Sequence, residues 1–298
     1  MTPLAPFYDT ATVVLHHGDA VDVMRTLGAN SFQSCITSPP YFGARDYGEK
    51  GQYGSEATPD EYVSNMVDVF SQVRRVLADD GTLWLNLGDS YRNKNLLGIP
   101  WMVAFALQAD GWILRSEIIW AKPNPMPEPA KDRPVRSHEK VFLFSKSRKY
   151  FYNHLAVREV GNMKAGDSAG SLQKDTRDTH GRGGGNGGIN VAKQRLAEEL
   201  KTLGHSTRNL RDVWHVSAKP FPGAHFATYP QELILPCVLA GSRVGDTVLD
   251  PFSGSGTTGM VATQEGRKYV GIDLSSDYLD LSLKTRFAQP VLNFGGTP

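Results

Sequence analysis

The stretch Asp246-Thr-Val-Leu-Asp-Pro-Phe-Ser-Gly-Ser-Gly-Thr-Thr-Gly259 constrains the fold of this chain more than any other. A short run of strand-forming residues ends in an acid, passes through proline and glycine, and enters a segment that reads as a helix. Gly254, Gly256 and Gly259 spell G-x-G-x-x-G, the turn through which a strand hands over to a helix at close range. Strand, glycine turn and helix form the repeating unit of an α/β sheet. The rest of the sequence supplies the other units. Val13 to Leu15, Phe32 to Ile36, Thr82 to Leu87, Trp112 to Trp120, Lys140 to Ser145 and Tyr269 to Ile272 read as strands. Between them lie helical stretches at 20–27, 58–77, 100–110, 231–240 and 257–265. The longest begins with Thr58 as N-cap, Pro59 as first helical residue and Glu61 closing a capping box. Its apolar stripe is Tyr62, Met66, Val69, Phe70, Val73, Val76 and Leu77, and Asp79-Asp80-Gly81 is expected to end it. Strands separated by helices predict a doubly wound, largely parallel sheet.

The texture changes near Asn153. From Glu159 to Leu210 there is little periodicity, and Gly181-Arg-Gly-Gly-Gly-Asn-Gly-Gly188 offers no apolar side chain to a core. The expected organisation is one α/β domain, 1–154 and 216–298, interrupted by a polar insert at 155–215. The insert carries more Lys and Arg than Asp and Glu, a lean toward an anionic partner. Arg177, Arg182, Arg208 and Arg211 are its candidate contacts.

The strand that ends at Ile36 runs into Thr37-Ser-Pro-Pro-Tyr41. Two prolines fix two φ angles and supply no N–H, and Ser38, preceding a proline, is pushed toward an extended shape. The result is a stiff corner with bare carbonyls, a hydroxyl and an aromatic ring. Such a corner suits chemistry on an exocyclic base amine. That nitrogen is a poor nucleophile because its lone pair is delocalised into the ring. Ser38 Oγ and the Pro39 carbonyl, held still by Pro39 and Pro40, would accept its hydrogens and favour a tetrahedral nitrogen. Tyr41 would stack on a base flipped out of the duplex. Stacking needs only the ring, so Tyr41→Phe is expected to be mild.

The glycine turn admits two cofactors by spacing. A nicotinamide dinucleotide fits G-x-G-x-x-G, with Asp273 at the end of the next strand as the ribose acid. Asp250, at the end of its strand and facing the turn, would repel a pyrophosphate. It suits the cationic amine and sulfonium of S-adenosyl-L-methionine, whose ribose Asp273 would hold.

TSPPY at 37–41 together with DPFSGSGTT at 250–258 resembles the β group of amino-group DNA methyltransferases, over roughly Val13 to Leu283. The resemblance implies a Rossmann-like methyltransferase fold with the target-recognition region between the two motifs. It implies Ser38, Pro39, Pro40 and Tyr41 as catalytic residues. Asp250, Phe252, Gly254, Ser255, Gly256, Thr257 and Asp273 become cofactor-binding, and Asp19, after His16-His-Gly, joins them. It implies double-stranded DNA as substrate, and either an orphan enzyme or one paired with a cognate restriction endonuclease acting on the same site. Serine at this corner is the family's usual form for cytosine N4, and aspartate for adenine N6. Adenine N6 stays the alternative. More distant are an RNA or protein-amide target, a NAD-dependent oxidoreductase and a non-catalytic DNA-binding module.

Composition narrows little else. The 298 residues are 40% hydrophobic and 21% charged, with a formal charge of +1. Two cysteines make no disulfide framework and point to a reducing compartment. The first ten residues lack the pattern of a signal peptide, and no apolar run nears the roughly 18 residues of a spanning helix. A cytoplasmic protein of a prokaryote or phage, with no membrane partner, is expected; oligomeric state is open. The eight histidines show no zinc spacing with cysteine, so no metal is expected. Pro236-Cys237 and Cys35 read as buried structural thiols. Asp89 is read equally as a pocket residue or a helix cap, and Lys122-Pro-Asn-Pro-Met-Pro127 as a stiff loop beside DNA.

Overall fold

The structure is a computed structural model and describes residues 5–46, 48–164, 198–199, 201–218 and 228–287. The chain divides into two compact units, one formed by the residues up to Asn153 with those from Asp212 on, the other by His154–Arg211.

The first unit is built on a nine-stranded sheet. In chain order its strands are β1 (Tyr8–Asp9), β2 (Val13–His17), β3 (Phe32–Thr37), β4 (Leu77–Leu87), β7 (Ile113–Ala121), β8 (His138–Ser145), β11 (Val213–His215), β12 (Thr247–Asp250) and β13 (Lys268–Asp273). A separate small hairpin joins β5 (Tyr91–Arg92) to β6 (Asn95–Leu96). The order across the sheet is β1-β2-β13-β12-β3-β4-β8-β7-β11. β2, β13, β12, β3 and β4 run parallel, while β8 is antiparallel to both of its neighbours. The α/β, doubly wound and largely parallel sheet expected from the sequence is present.

Helices α1 (Ala20–Thr26), α2 (Pro59–Val76) and α3 (Ile99–Ala109) pack side by side. Thr58 caps α2 with both halves of its capping box made, and Tyr62, Met66, Val69, Phe70, Val73 and Val76 are all buried. They meet Leu83, Leu85 and Leu87 of β4 in one apolar cluster. Each such side chain contributes roughly 1.5–3 kcal/mol on burial. The alternate residues of β4 face the other way. There α4 (Gln231–Gly241) lies so close that a Cβ on Gly241 would sit 2.7 Å from Trp84 Nε1. α4 packs on α5 (Thr257–Gln264), and α6 (Ser276–Ser282) follows β13. Helices on both faces make the sheet doubly wound.

Two boundaries differ from the sequence reading. α2 stops at Val76 and the chain enters β4 at once, so Asp79-Asp80-Gly81 lies inside a strand. Phe32 pairs with Leu77 and Ser34 with Thr82, and the irregularity between them absorbs Ala78 to Gly81. Gln33 Nε2 donates to Asp80 Oδ1 at 3.1 Å and anchors it. The other difference is β11: residues 213–215, assigned to the insert, form an edge strand parallel to β7.

The second unit pairs β9 (Glu159–Lys164) antiparallel with β10 (His205–Arg208). The glycine-rich run 181–188, with Arg177 and Arg182, lies outside the described residues. Arg208 and Arg211 both pair with Glu159, so their charge is partly spent within the unit.

Candidate active site

Sheet order makes the site. β12 lies between β13 and β3, and Leu249 pairs with Cys35. The ends of these strands therefore stand side by side, although 213 positions separate Thr37 from Asp250. Thr37 Oγ1 donates to Asp250 Oδ1 at 2.6 Å. This buried bond ties the proline corner to the glycine turn. In parallel α/β sheets such strand ends are where ligands bind.

At the corner, Pro39 is buried while Ser38 and Tyr41 are half-buried. Tyr62, from α2, donates its phenol to the Pro40 carbonyl at 2.9 Å and holds the corner against the core. The Tyr41 ring packs close against Gly88, where a Cβ would come within 2.5 Å of Tyr41 Cε2. Its hydroxyl donates to Glu139 Oε2 at 2.7 Å. It accepts from Asn86 Nδ2 at 2.7 Å and from Ser38 Oγ at 3.3 Å. Asn86 Nδ2 also lies 3.3 Å from Ser38 Oγ and 3.1 Å from Glu139 Oε2. Lys122 forms an ion pair with Glu139 and rests 4.2 Å above the Trp120 ring. Burial, reinforced by the Glu139 charge, pushes the Tyr41 phenol well above its ordinary pKa, so it stays a donor.

At the turn, Gly254 and Gly256 adopt φ of +51° and +77°, a region that favours glycine. A Cβ on Gly254 would meet nothing closer than the Phe252 carbonyl at 3.9 Å, whereas one on Gly256 would come within 2.9 Å of Ser282. The turn is thus open in front and tightly backed behind. Ser255 and Thr257 are buried at the entry to α5, their hydroxyls 3.4 Å apart. Asp273 accepts from the Gly254 N–H at 2.7 Å and the Ser275 N–H at 2.9 Å, one on each carboxylate oxygen. Each oxygen keeps lone pairs for a pair of hydroxyls. Burial raises its pKa to about 6 against the pull of those two amides.

Asp250 departs from the open counter-charge expected from the sequence. It is 0% exposed, and its carboxylate accepts from Thr37, from Tyr229 at 3.1 Å and from the Phe252 N–H at 3.1 Å. Burial raises its pKa while these donors oppose the rise. In this arrangement it fixes the turn from behind. Asp19 is likewise engaged. One oxygen caps α1 through Val21 and Asp22, and the other accepts from Tyr53 at 2.9 Å. Tyr53 in turn packs edge-on against Phe252, with ring centroids 5.6 Å apart. Asp19, Tyr53 and Phe252 form one wall.

The sequence reading missed Asn86, Lys122, Glu139, Tyr53 and Tyr229. Two of these stood in segments it singled out: Asn86 in the strand that ends at Asp89 near the pocket, and Lys122 in a DNA-side loop, where it is instead paired inside the unit. Asp89 is a helix cap: it accepts from the Gly98 and Ile99 N–H groups at the start of α3. Cys35 and Cys237 are buried thiols whose pKa burial raises. Among the described residues no cluster of His, Cys, Asp and Glu could hold a metal, and no helix is long and apolar enough to cross a membrane.

The fold and the two strand-end motifs define a Rossmann-like methyltransferase. The DNA methylase family model matches residues 32–284, and the chain belongs to that N6/N4 methylase family. It is a DNA methyltransferase whose methyl donor is S-adenosyl-L-methionine. The chain is 44% identical to Type II methyltransferase M.Cfr9I of Citrobacter freundii, over 90% of this chain and 86% of that protein. It is 40% identical to M.SmaI of Serratia marcescens, over 89% and 87%. Among solved structures it superposes on the PvuII DNA methyltransferase (cytosine-N4-specific) with a TM-score of 0.66, at 22% identity and 96% and 90% coverage. The residues suit this donor: Asp273 has lone pairs for ribose hydroxyls, and Gly254 leaves room before the turn. No basic group answers a pyrophosphate among the turn residues 250–259.

Proposed function

We propose that the chain methylates the N4 amine of a cytosine within a specific sequence of double-stranded DNA, with the base flipped into the corner at Ser38. The observation that carries this reading is the corner residue itself. It is a neutral hydroxyl where an acid would suggest adenine N6. Ser38 Oγ and the Pro39 carbonyl accept the amine hydrogens and draw its lone pair out of the ring, and the proline backbone sets them in place before reaction. The Tyr41 ring offers the face on which the base stacks. S-adenosyl-L-methionine supplies an electrophilic methyl group on a sulfonium sulfur. Asp273 holds the ribose, and Asp250 keeps the Phe252–Gly254 turn in register with the corner. Asp19, through Tyr53, braces Phe252 against the cofactor's other side. The part of the insert up to Arg211 reads the target sequence. A restriction endonuclease for the same site accompanies the enzyme, as the Type II relatives suggest.

The test is to incubate the protein with duplex DNA and methyl-labelled donor, then digest to nucleosides for mass spectrometry. Labelled N4-methyl-2′-deoxycytidine is the expected product. Labelled N6-methyladenine would favour the second reading, which the family's span of both amines keeps open. Labelled 5-methylcytosine would overturn both.

A further inference from the structure

We infer that Ser38, Tyr41 and Glu139 form a proton relay that carries away the hydrogen the amine must lose, with Glu139 as the final acceptor. The inference rests on the amine-methylation reading and holds for either base. It starts from hydrogen-bond direction. Ser38 Oγ donates to the Tyr41 hydroxyl at 3.3 Å, and that hydroxyl donates to Glu139 Oε2 at 2.7 Å. Asn86 Nδ2 donates to the same oxygens of Ser38 and Tyr41. Glu139 Oε2 needs donors, so the amide side of Asn86 that faces it is the NH₂. Every bond in the chain therefore points from the corner toward one carboxylate. Glu139 is only 17% exposed at its side chain, and its other oxygen is paired with Lys122.

The chemistry requires an outlet. As the amine nitrogen bonds to the methyl carbon, the carbon–sulfur bond breaks with its electron pair kept on sulfur. The nitrogen is left cationic with one proton too many. Ser38 Oγ takes that proton as it passes its own to the Tyr41 oxygen. Tyr41 passes its own to Glu139, which ends as a neutral acid beside Lys122. The base is left neutral and methylated. The proton on Glu139 returns to water when products leave. This explains how a serine serves at the corner: a hydroxyl cannot hold the extra proton, but a hydroxyl wired to a carboxylate can pass it on. Glu139 acts through Tyr41 and Ser38 and is a positioning residue in that sense. The Tyr41 hydroxyl, which stacking alone leaves idle, becomes necessary.

Two variants test the relay by single-turnover methylation at saturating donor and DNA, with binding of each and melting temperature measured in parallel. Tyr41→Phe keeps the ring and leaves the Lys122–Glu139 pair intact. Glu139→Gln keeps the shape and removes the acceptor. Both are expected to lose about a hundredfold to ten-thousandfold in rate, with donor and DNA affinity within about threefold of the parent. A parent rate in either variant overturns the relay. If Glu139→Gln loses rate, affinity and melting temperature together, Lys122 has been left unpaired, and Tyr41→Phe alone decides. A parent protein that methylates no base amine refutes the functional reading instead.

Discussion

A carboxylate that burial holds near neutrality is sensitive to what binds it, and Asp273 is the clearest instance. Its pKa is raised to about 6, so between the ordinary carboxylate value and pH 6 the folded chain binds more protons than the unfolded one. Lowering the pH through that window stabilises the fold and neutralises the acceptor proposed for the ribose hydroxyls. Donor affinity is expected to fall as pH drops below about 6, as followed by calorimetry, and Asp273→Asn should flatten that dependence. Asp273→Ala is expected to weaken donor binding about tenfold to a hundredfold, the loss of a hydrogen bond to a charged group. Unchanged affinity in Asp273→Ala would remove it from the site. At this scale the sequence was legible where a proposed site sits on one short stretch. Ser38-Pro-Pro-Tyr41 and Asp250 to Thr258 announce themselves through proline and glycine. Glu139 does not: β8 brings it to the corner and nothing in its own neighbourhood marks it, while Asn86 sits in a strand read as ending near the pocket without being marked itself.

Among elements, α2 was readable almost to the residue because its signals are local: a cap, a proline, a reciprocal Glu61 and a stripe of 3.6-residue period. Thr58→Ala should cost about 1 kcal/mol, measurable as a shift of the denaturant midpoint with unchanged slope. The far end of α2 was misread because Asp79-Asp80-Gly81 resembles a turn, and only pairing with β3 turns it into part of β4. Gly88 shows the same dependence on partners. In the sequence it is an ordinary glycine after a strand; in the fold its missing Cβ makes room for the Tyr41 ring. Gly88→Ala must displace that ring. It is expected to lower the methylation rate at least tenfold while donor affinity stays near the parent's, and a parent rate would show that the ring's position is immaterial.

For the whole molecule, the alternation of strands and helices predicted the doubly wound sheet, but not its order. The sequence places the proline corner first and the glycine turn last, and it is the insertion of β12 between β3 and β13 that makes them neighbours. The polar run was recognisable as an insert by composition. Its far boundary was not, since Val213-Trp-His215 is too short to signal a strand without β7 beside it. Deleting 181–188 removes no apolar side chain and should leave circular dichroism and donor binding unchanged; an unfolded product would contradict this. The central claim is that the two distant motifs form one site with divided labour, chemistry at Ser38 and donor binding at Asp273. Its most direct test is single-turnover methylation of duplex DNA at saturating donor by Ser38→Ala and Asp273→Ala. The expected result is a loss of roughly tenfold to a thousandfold for Ser38→Ala, as when one preorganised polar partner is removed. Asp273→Ala should return to within a few-fold of the parent (about threefold) once the donor saturates it. Methylation by Ser38→Ala at the parent rate would contradict the claim.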